Sequence, residues 1–466
     1  MNNILFNINN NNYNEYLNDT NKFNNYIANK LRNTIRNIFT INALNYDTNY
    51  IKEIIKFSSI IFNNLKKYKL VFEILDKRKY NIKNNEYIFI TNILCFKYII
   101  KIISDSKNGF KSSLNEIYNS IFIKHNFILT DVCPHFTYLI TYIPINKKFN
   151  EIDLRSSINY GLIFDYINPW IINESLKITS LEYLLANISK LKEIFSINYI
   201  NKVLYNIFFQ IFYSICVFSK FRINHNDLRP SNILIHGNYD NLNTYDKYTI
   251  IIDDKITDYY LLNLGFKVKI IDFGLTNSDM IDKLNNQKAL THELSNEAGI
   301  FKLYSEFYDI HYIINDILCR IKRNDLTDEF YDFIISIIDN KYISSNNKNI
   351  YINEFFRLGF PFTIKEYVEL NSLEINLTYD NDKLIINQDL LNNLIINIKK
   401  IIKCNPFECI INNLKDPIDN NRDKLKNPLE VIKLFDKIMI KNEDLSIMNN
   451  YYLDFTNNNY NLDNIS

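Results

Sequence analysis

The chain has 466 residues, and its 53 Lys and Arg residues against 52 Asp and Glu residues give a formal net charge of +1. This balance provides no broad electrostatic attraction for nucleic acid or for anionic lipid. A content of 47% hydrophobic and 15% aromatic residues suffices for a large core and excludes disorder along the whole chain. The six cysteines form no C-x-x-C pair, which favours a reducing compartment and argues against a disulfide framework.

The sequence carries no pattern of export or of membrane insertion. Its first residues lack a charged segment followed by an apolar run, so we expect no secretory signal peptide. The most apolar long stretch, 204–218, is too short and too polar to span a bilayer, which favours a buried helix. We therefore expect a soluble, intracellular protein without a membrane span.

Taken in chain order, the apolar patterns predict an α+β fold with two lobes. Residues 1–70 combine Asn-rich runs with apolar residues at helical spacing and predict a helical amino-terminal extension. From 71 to 167, short runs rich in β-branched and aromatic residues predict a small antiparallel sheet, and 111–124 predicts its one helix. Residues 168–440 predict a larger helical lobe that contains a long apolar helix at about 195–219.

Two motifs in the second half of the chain carry chemistry. The first is His-Asn-Asp-Leu-Arg-Pro-Ser-Asn at 225–232, between the long apolar helix and a predicted short strand. The second is Asp-Phe-Gly at 272–274, at the end of a predicted strand at 266–271. Both motifs in this order would arise by chance in roughly one in several hundred chains of this composition. An Asx-type turn and a buried strand end are the alternatives without chemistry.

With these motifs the chain resembles the protein kinase-like superfamily, which transfers a phosphoryl group from ATP with the help of Mg²⁺. The resemblance implies that Asp227 orients the acceptor hydroxyl and takes its proton, while Asn232 and Asp272 hold Mg²⁺ against the nucleotide phosphates. Arg229 stands where serine/threonine kinases usually carry Lys, and either cation can face the transferred phosphate. The structural residues that the same motifs imply are His225, Phe273 and Gly274.

The resemblance also requires a Lys and a Glu partner nearer the amino terminus. The stretch Tyr-Ile-Ile-Lys that ends at Lys101 has the shape of the kinase strand that carries this Lys. Glu116 lies on the single predicted helix of the same region. The resemblance assigns Lys101 to the α- and β-phosphates and Glu116 to orienting Lys101, with a solvated strand Lys as the alternative.

Two further segments match the kinase pattern. The stretch 160–168 resembles the strand that leads to the hinge, where Phe164 would guard the back of the adenine pocket. The backbone of Asp165 and Ile167 would then face the adenine edge. Asp309 opens a helical pattern that resembles the kinase helix whose buried Asp holds the catalytic loop, although a helix N-cap would also explain it.

The finer resemblance is to the protein kinases of large DNA viruses, of the iridovirus, mimivirus and poxvirus type. It implies a serine/threonine kinase that modifies proteins in the host cytoplasm or in the virion, and it leaves the oligomeric state open. The segments that carry it are 115–117, 133–136, 224–228, 263–266, 308–312 and 427–431.

Departures from the kinase pattern change several expectations. No Gly precedes Gly109, so the Gly-rich phosphate loop is absent, and side chains at 83–85 are candidates to replace it. Asn226 stands where the catalytic loop usually has Arg, so we expect no control by a phosphorylated activation loop. The Ala-Pro-Glu anchor is missing, and Glu297 is its candidate remnant.

Two further segments of the chain lie outside the kinase pattern. Residues 238–264 predict an inserted hairpin, either a docking element or padding, and 441–466 predict a polar tail.

The first alternative function is a pseudokinase or scaffold that binds nucleotide or a partner protein. The second is a small-molecule kinase of the aminoglycoside or choline kinase type.

Overall fold

The structure is a computed structural model that divides the chain into two compact units. The first comprises Met1–Lys107 and Tyr138–Tyr166, and the second comprises Asn108–Thr137 and Ile167–Ser466. The expected extension at 1–70, the segment 83–85 and Glu297 lie outside the described residues. These are 73–81, 86–93, 96–104, 112–145, 148–149, 152–153, 159–239, 242–284, 304, 306–320, 326–337, 378–380, 383–385, 426–439 and 447–456.

The first unit is built on an antiparallel sheet. Its described strands are β1 (Glu73–Asn81), β2 (Glu86–Ile93), β3 (Phe96–Ser104), β4 (Leu139–Ile145), β5 (Lys148–Phe149), β6 (Ile152–Asp153) and β7 (Asn159–Asp165). The sheet has the order β1-β2-β3-β7-β4, and β5 pairs with β6. The strands predicted at 86–94, 96–103, 136–143 and 159–167 are confirmed as β2, β3, β4 and β7. The sequence did not predict β1, because the run Asp-Lys-Arg-Lys inside it hides the β pattern.

The second unit contains the described helices. They are α1 (Ser112–Ile123), which continues into a π-helical turn (Lys124–Ile128), α2 (Leu181–Ala186), α3 (Ile188–Ile194), α4 (Ile197–Lys220), α5 (Tyr308–Arg320), α6 (Asp328–Ile337) and α7 (Pro428–Lys433). Its strands are short and mostly antiparallel, so the α+β composition with small antiparallel sheets is confirmed. They are β8 (Trp170–Ile171), β9 (Lys177–Ile178), β10 (Ile223–Asn224), β11 (Ile233–Gly237), β12 (Tyr245–Ile252), β13 (Lys255–Leu262), β14 (Phe266–Ile270), β15 (Asn277–Ser278), β16 (Thr378–Asp380), β17 (Lys383–Ile385) and β18 (Ile447–Asp454).

Helix α4 forms the core of the second unit. Ser196 caps it by accepting a hydrogen bond from the Tyr199 N–H, and nearly every residue from 200 to 218 is buried. By length and composition it could cross a membrane, but 89% of its most apolar window is buried inside the structure, as in a core helix. The predicted buried helix is thus confirmed.

Two polar residues of α4, Asn206 and Gln210, are hydrogen-bonded to the strands that precede the second motif. Asn206 donates to the Leu262 carbonyl over 2.7 Å, and Gln210 donates to the Asn206 side chain over 2.7 Å. The side-chain oxygen of Gln210, Oε1, accepts from the Val268 N–H at 2.8 Å. Buried amides are stable only when they are hydrogen-bonded, so these pairs fix β14 against the helix. Strand β14 leads directly into Asp272.

Helix α1 belongs to the second unit, which differs from its expected place in the lobe of the sheet. The Asn119 side chain donates to the Phe273 carbonyl over 3.1 Å and to the Thr276 carbonyl over 3.0 Å. The Phe122 ring packs edge-on against Phe221, with 5.7 Å between centroids. The position of α1 is therefore set by side-chain contacts with segments that are distant along the chain. The helical pattern of α1 does not reveal these contacts.

The hairpin predicted within 238–264 is present as the antiparallel pair β12 and β13. Strand β18 adds to it in parallel orientation, within a segment that we expected to be a polar tail. Asn449, Tyr451 and Leu453 are the buried residues of β18, and their period of two was hidden by neighbouring Asn residues. A buried carboxylate, Asp246, accepts from Asn449 at 2.6 Å and pairs with Lys267 at 3.0 Å.

A buried histidine lies beneath this three-stranded sheet. The His135 Nε2 atom is hydrogen-bonded to the Tyr248 hydroxyl over 2.9 Å, and the two rings are stacked. Burial, together with the positive charges of Lys267 and Lys269, lowers the pKa of His135 well below its ordinary value of 6.5. The folded chain therefore holds this imidazole neutral where the unfolded chain protonates it.

We predict that His135→Gln reduces the loss of stability in mild acid. Below pH 6.5 only the unfolded wild-type chain binds the extra proton at this position, so folding stability decreases as the pH decreases. When the pH decreases from about 7.5 to 5.5, protonation of this imidazole in the unfolded chain lowers the unfolding free energy of the wild type by about 1.4 kcal/mol. The Gln variant lacks this contribution. Urea unfolding at both pH values measures the difference, and equal losses in both proteins would contradict the prediction.

Candidate active site

The first motif folds into a loop that its own side chains close. Pro230 begins a 3₁₀ turn, Pro230–Asn232, where its fixed φ angle fits and no N–H is required. The Asn232 amide nitrogen donates to the Asp227 carbonyl over 2.8 Å and to Asp227 Oδ2 over 2.9 Å. This use of the nitrogen leaves Asn232 Oδ1 as the atom that can accept or ligate.

A buried carboxylate from α5 holds the start of the same loop. Asp309 Oδ2 accepts from the His225 N–H at 2.7 Å, and Oδ1 accepts from the Asn226 N–H at 3.1 Å. Burial raises the pKa of the Asp309 carboxyl, while its interactions with His225 and Asn226 act in the opposite direction. Asp309 of α5 thus holds the backbone at the start of this loop.

The structure provides a physical reason for Asn at position 226. Its φ angle is 64°, in the left-handed region, where Asn is several-fold enriched among residues other than Gly. Its side chain donates to the Leu275 carbonyl over 2.9 Å, immediately after the second motif. The departure from the usual Arg therefore lowers backbone strain and adds a direct bond between the two motifs.

His225 connects the two motifs through its ring. Nδ1 accepts from the Asp227 N–H at 3.3 Å, and Nε2 lies 2.9 Å from the Ile271 carbonyl. Because a carbonyl oxygen can only accept, Nε2 carries the hydrogen. The Ile271 N–H in turn donates to the Asn232 carbonyl over 3.0 Å. These bonds bring the backbone that precedes Asp272 next to Asn232.

The second motif is a strained turn with one buried ring. Asp272 has φ 67° and ψ 73°, and the following residues form a 3₁₀ turn, Phe273–Leu275. The Phe273 ring packs edge-on against His225, with 5.7 Å between centroids. A Cβ added at Gly274 would lie 3.4 Å from both Asp272 Oδ1 and Glu116 Oε2. Glu116 of α1 therefore reaches this turn.

Within the described part of the chain, three donors surround the Asp227 carboxylate. Arg229 Nη2 lies 2.8 Å from Oδ2, which also accepts from Asn232. The Tyr312 hydroxyl of α5 donates to Oδ1 over 3.1 Å. The sequence alone does not reveal the contact of Tyr312 with Asp227 or that of Asn119 with the Phe273 carbonyl, because both contacts join segments that are far apart along the chain.

Three of the remaining candidates, Lys101, Phe164 and Asp165, lie on strands of the first unit. Lys101 of β3 is buried and pairs in register with Leu162 of β7. Phe164 lies on β7, and Asp165 Oδ1 accepts from the Tyr138 N–H at 3.2 Å. Ile167 is the first residue of the following segment of the second unit. The nucleotide roles of these residues stay predictions.

Comparisons with known proteins add little to this geometry. No protein-family model and no curated protein matches the chain. One solved structure to which it is similar is a Plasmodium kinase domain, at 19% sequence identity over 45% of this chain and a TM-score of 0.26. The match covers 52% of that domain, so the chain spans about half of its length. The functional assignment therefore rests on the residues of the site.

We predict that Asp309→Ala destabilises the chain by about 2–4 kcal/mol, because it leaves two buried N–H donors of the 225–232 loop without an acceptor. Glu193→Ala, an exposed carboxylate on α3, is the matched control and should change the unfolding free energy by less than about 0.5 kcal/mol. Denaturant unfolding measures both variants. Similar losses in the two variants would show that Asp309 does not hold the loop.

Proposed function

We propose that the chain is an ATP- and Mg²⁺-dependent protein kinase specific for Ser or Thr, of the type found in large DNA viruses, with a bilobal kinase-like fold. The observation that carries the proposal is the pair of adjacent motif loops. In them His225 binds the Ile271 carbonyl, and the Ile271 N–H binds Asn232. Asp227, Asn232 and Asp272 thereby come from two short segments that are hydrogen-bonded to each other.

The donor set of these loops suits Mg²⁺. The candidate ligand atoms are the Asn232 amide oxygen and the Asp272 carboxylate oxygens, and hard oxygen ligands are those that Mg²⁺ prefers. Bound Mg²⁺ would neutralise charge on the nucleotide phosphates during transfer.

The proposed reaction is an in-line transfer in which Asp227 handles the proton. The acceptor hydroxyl oxygen forms a bond to the γ-phosphorus as the bond from that phosphorus to the β–γ bridging oxygen breaks, and ADP leaves. The hydroxyl proton passes to the Asp227 carboxylate. The Arg229 side chain is 45% exposed, so its guanidinium can turn from Asp227 towards the transferred phosphate.

The remaining roles follow the sequence resemblance. Lys101 is proposed for the α- and β-phosphates and Glu116 for orienting it, while Phe164 and the backbone of Asp165 and Ile167 are proposed for adenine. The proposed substrates are proteins that bear Ser or Thr, in the host cytoplasm or in the virion. No nucleic-acid partner is proposed.

We predict that Asp227→Asn lowers phosphate transfer at least about 100-fold, because an amide cannot accept the proton of the acceptor hydroxyl. The assay follows labelled phosphate from ATP to the chain itself and to a basic protein. Asp282→Asn, an exposed residue after the second motif, is the control and should retain wild-type transfer.

The wild-type result in the same assay separates the proposed function from its two alternatives. Binding of Mg-ATP without any transfer would favour the scaffold. Transfer only to amino alcohols or aminoglycosides would favour the small-molecule kinase. Equal activity of wild type and Asp227→Asn would contradict all functions in which Asp227 is the base.

We also predict that Mg-ATP raises the melting temperature of the wild type and that Asp272→Asn removes most of this rise. A ligand that binds only the folded chain stabilises it by an amount that increases with the ratio of ligand concentration to Kd, and the variant loses a carboxylate for the metal. Thermal unfolding with ATP, with and without Mg²⁺, measures the effect. Equal shifts in both proteins would exclude Asp272 as a ligand.

A further inference from the structure

One face of α5 is directed at the catalytic loop. Tyr308, Asp309 and Tyr312 share this face, because positions three and four apart are neighbours on a helix. The Tyr308 hydroxyl lies 3.5 Å from the Asn226 carbonyl, and Asp309 accepts the two N–H bonds described above. Tyr312 differs from both, since its partner is the side chain of Asp227.

Hydrogen-bond donors occupy most of the lone-pair sites of the Asp227 carboxylate. An ionised carboxylate has about four lone-pair sites. Arg229 and Asn232 occupy both sites of Oδ2, at 2.8 and 2.9 Å. Tyr312 occupies one site of Oδ1 at 3.1 Å. Among the contacts of the described residues, the lone pair that has no donor while all three bonds are in place is the second one of Oδ1.

The three donors differ in how firmly they are held. The Arg229 side chain is 45% exposed, and the proposed reaction turns it towards phosphate. The Tyr312 side chain is buried, and its helix is anchored in the core by Ile313, Ile314 and Ile317, all at 0% exposure. When Arg229 leaves Oδ2, the Tyr312 hydroxyl remains as a fixed donor on Oδ1.

We infer that Tyr312 is a positioning residue for phosphoryl transfer: its hydroxyl, which donates to Oδ1, holds the Asp227 carboxylate in the orientation that receives the proton of the acceptor hydroxyl. This inference rests on the proposed kinase function. Two elements then orient the catalytic base: the loop that carries Asp227 and the core helix α5, which carries Tyr312.

The test is Tyr312→Phe, which keeps the ring and removes the hydroxyl. We expect kcat to decrease about 10- to 100-fold, because a misdirected base costs rate in the chemical step. The KM for Mg-ATP and the thermal shift by Mg-ATP should stay at wild-type values, since neither depends on this bond. The matched control is Tyr213→Phe, which removes a buried hydroxyl that donates to the Val132 carbonyl over 2.9 Å.

The outcomes separate this inference from the proposed function. A wild type without transfer activity would contradict the kinase itself. An active wild type whose kcat is unchanged in Tyr312→Phe, or reduced equally in Tyr213→Phe, would overturn only the role of Tyr312. A change in KM for Mg-ATP with unchanged kcat would also overturn it.

A second variant covers the case in which Tyr312→Phe folds poorly. Tyr312→His keeps an aromatic ring with an N–H donor, so its kcat should lie closer to the wild type than that of the Phe variant. The melting temperatures of both variants are measured alongside. Equal kcat in two folded variants, with and without a donor, would overturn the inference.

Discussion

The Asp309 carboxylate is the interaction on which the site depends. The left-handed backbone at Asn226 and at Asp272 costs about 1 kcal/mol at each residue. A hydrogen bond to a charged acceptor contributes about 1.5–3 kcal/mol, and Asp309 accepts two from the strained loop. These bonds are strong enough to hold a loop that would otherwise relax. The cost is a carboxylate buried at 1% exposure, and its desolvation raises the pKa.

Buried polar groups organise the second unit from the core helix outwards. Asn206 and Gln210 of α4 are joined to the strands that precede the second motif, and Asn119 of α1 clamps the turn that follows it. Each amide is costly to bury unless it is paired, so a wrong register of β14 would leave several groups unsatisfied. The position of Asp272 is therefore set by pairing in the core as well as by its own turn.

Periodicity in the sequence predicted α4, the strands β2, β3 and β7 and the inserted hairpin, because each of them buries one face of a regular pattern. The two motifs predicted which loops carry chemistry. The contacts of Asn119 with Phe273 and of Tyr312 with Asp227 span 154 and 85 positions, and no local pattern reports such a distance. Abundant Asn and Tyr residues further hid these two among many chemically identical neighbours.

The parallel pairing of β18 with β12 has a consequence for the order of folding. Its side-chain bond from Asn449 to Asp246 joins residues 203 positions apart. During synthesis the hairpin therefore emerges long before the strand that covers it, and the edge of β12 stays open for that time. Pairing over such a separation is slow, and an open edge can template pairing with other chains. Newly made chains would thus be most prone to aggregate in the interval before residue 454 leaves the ribosome.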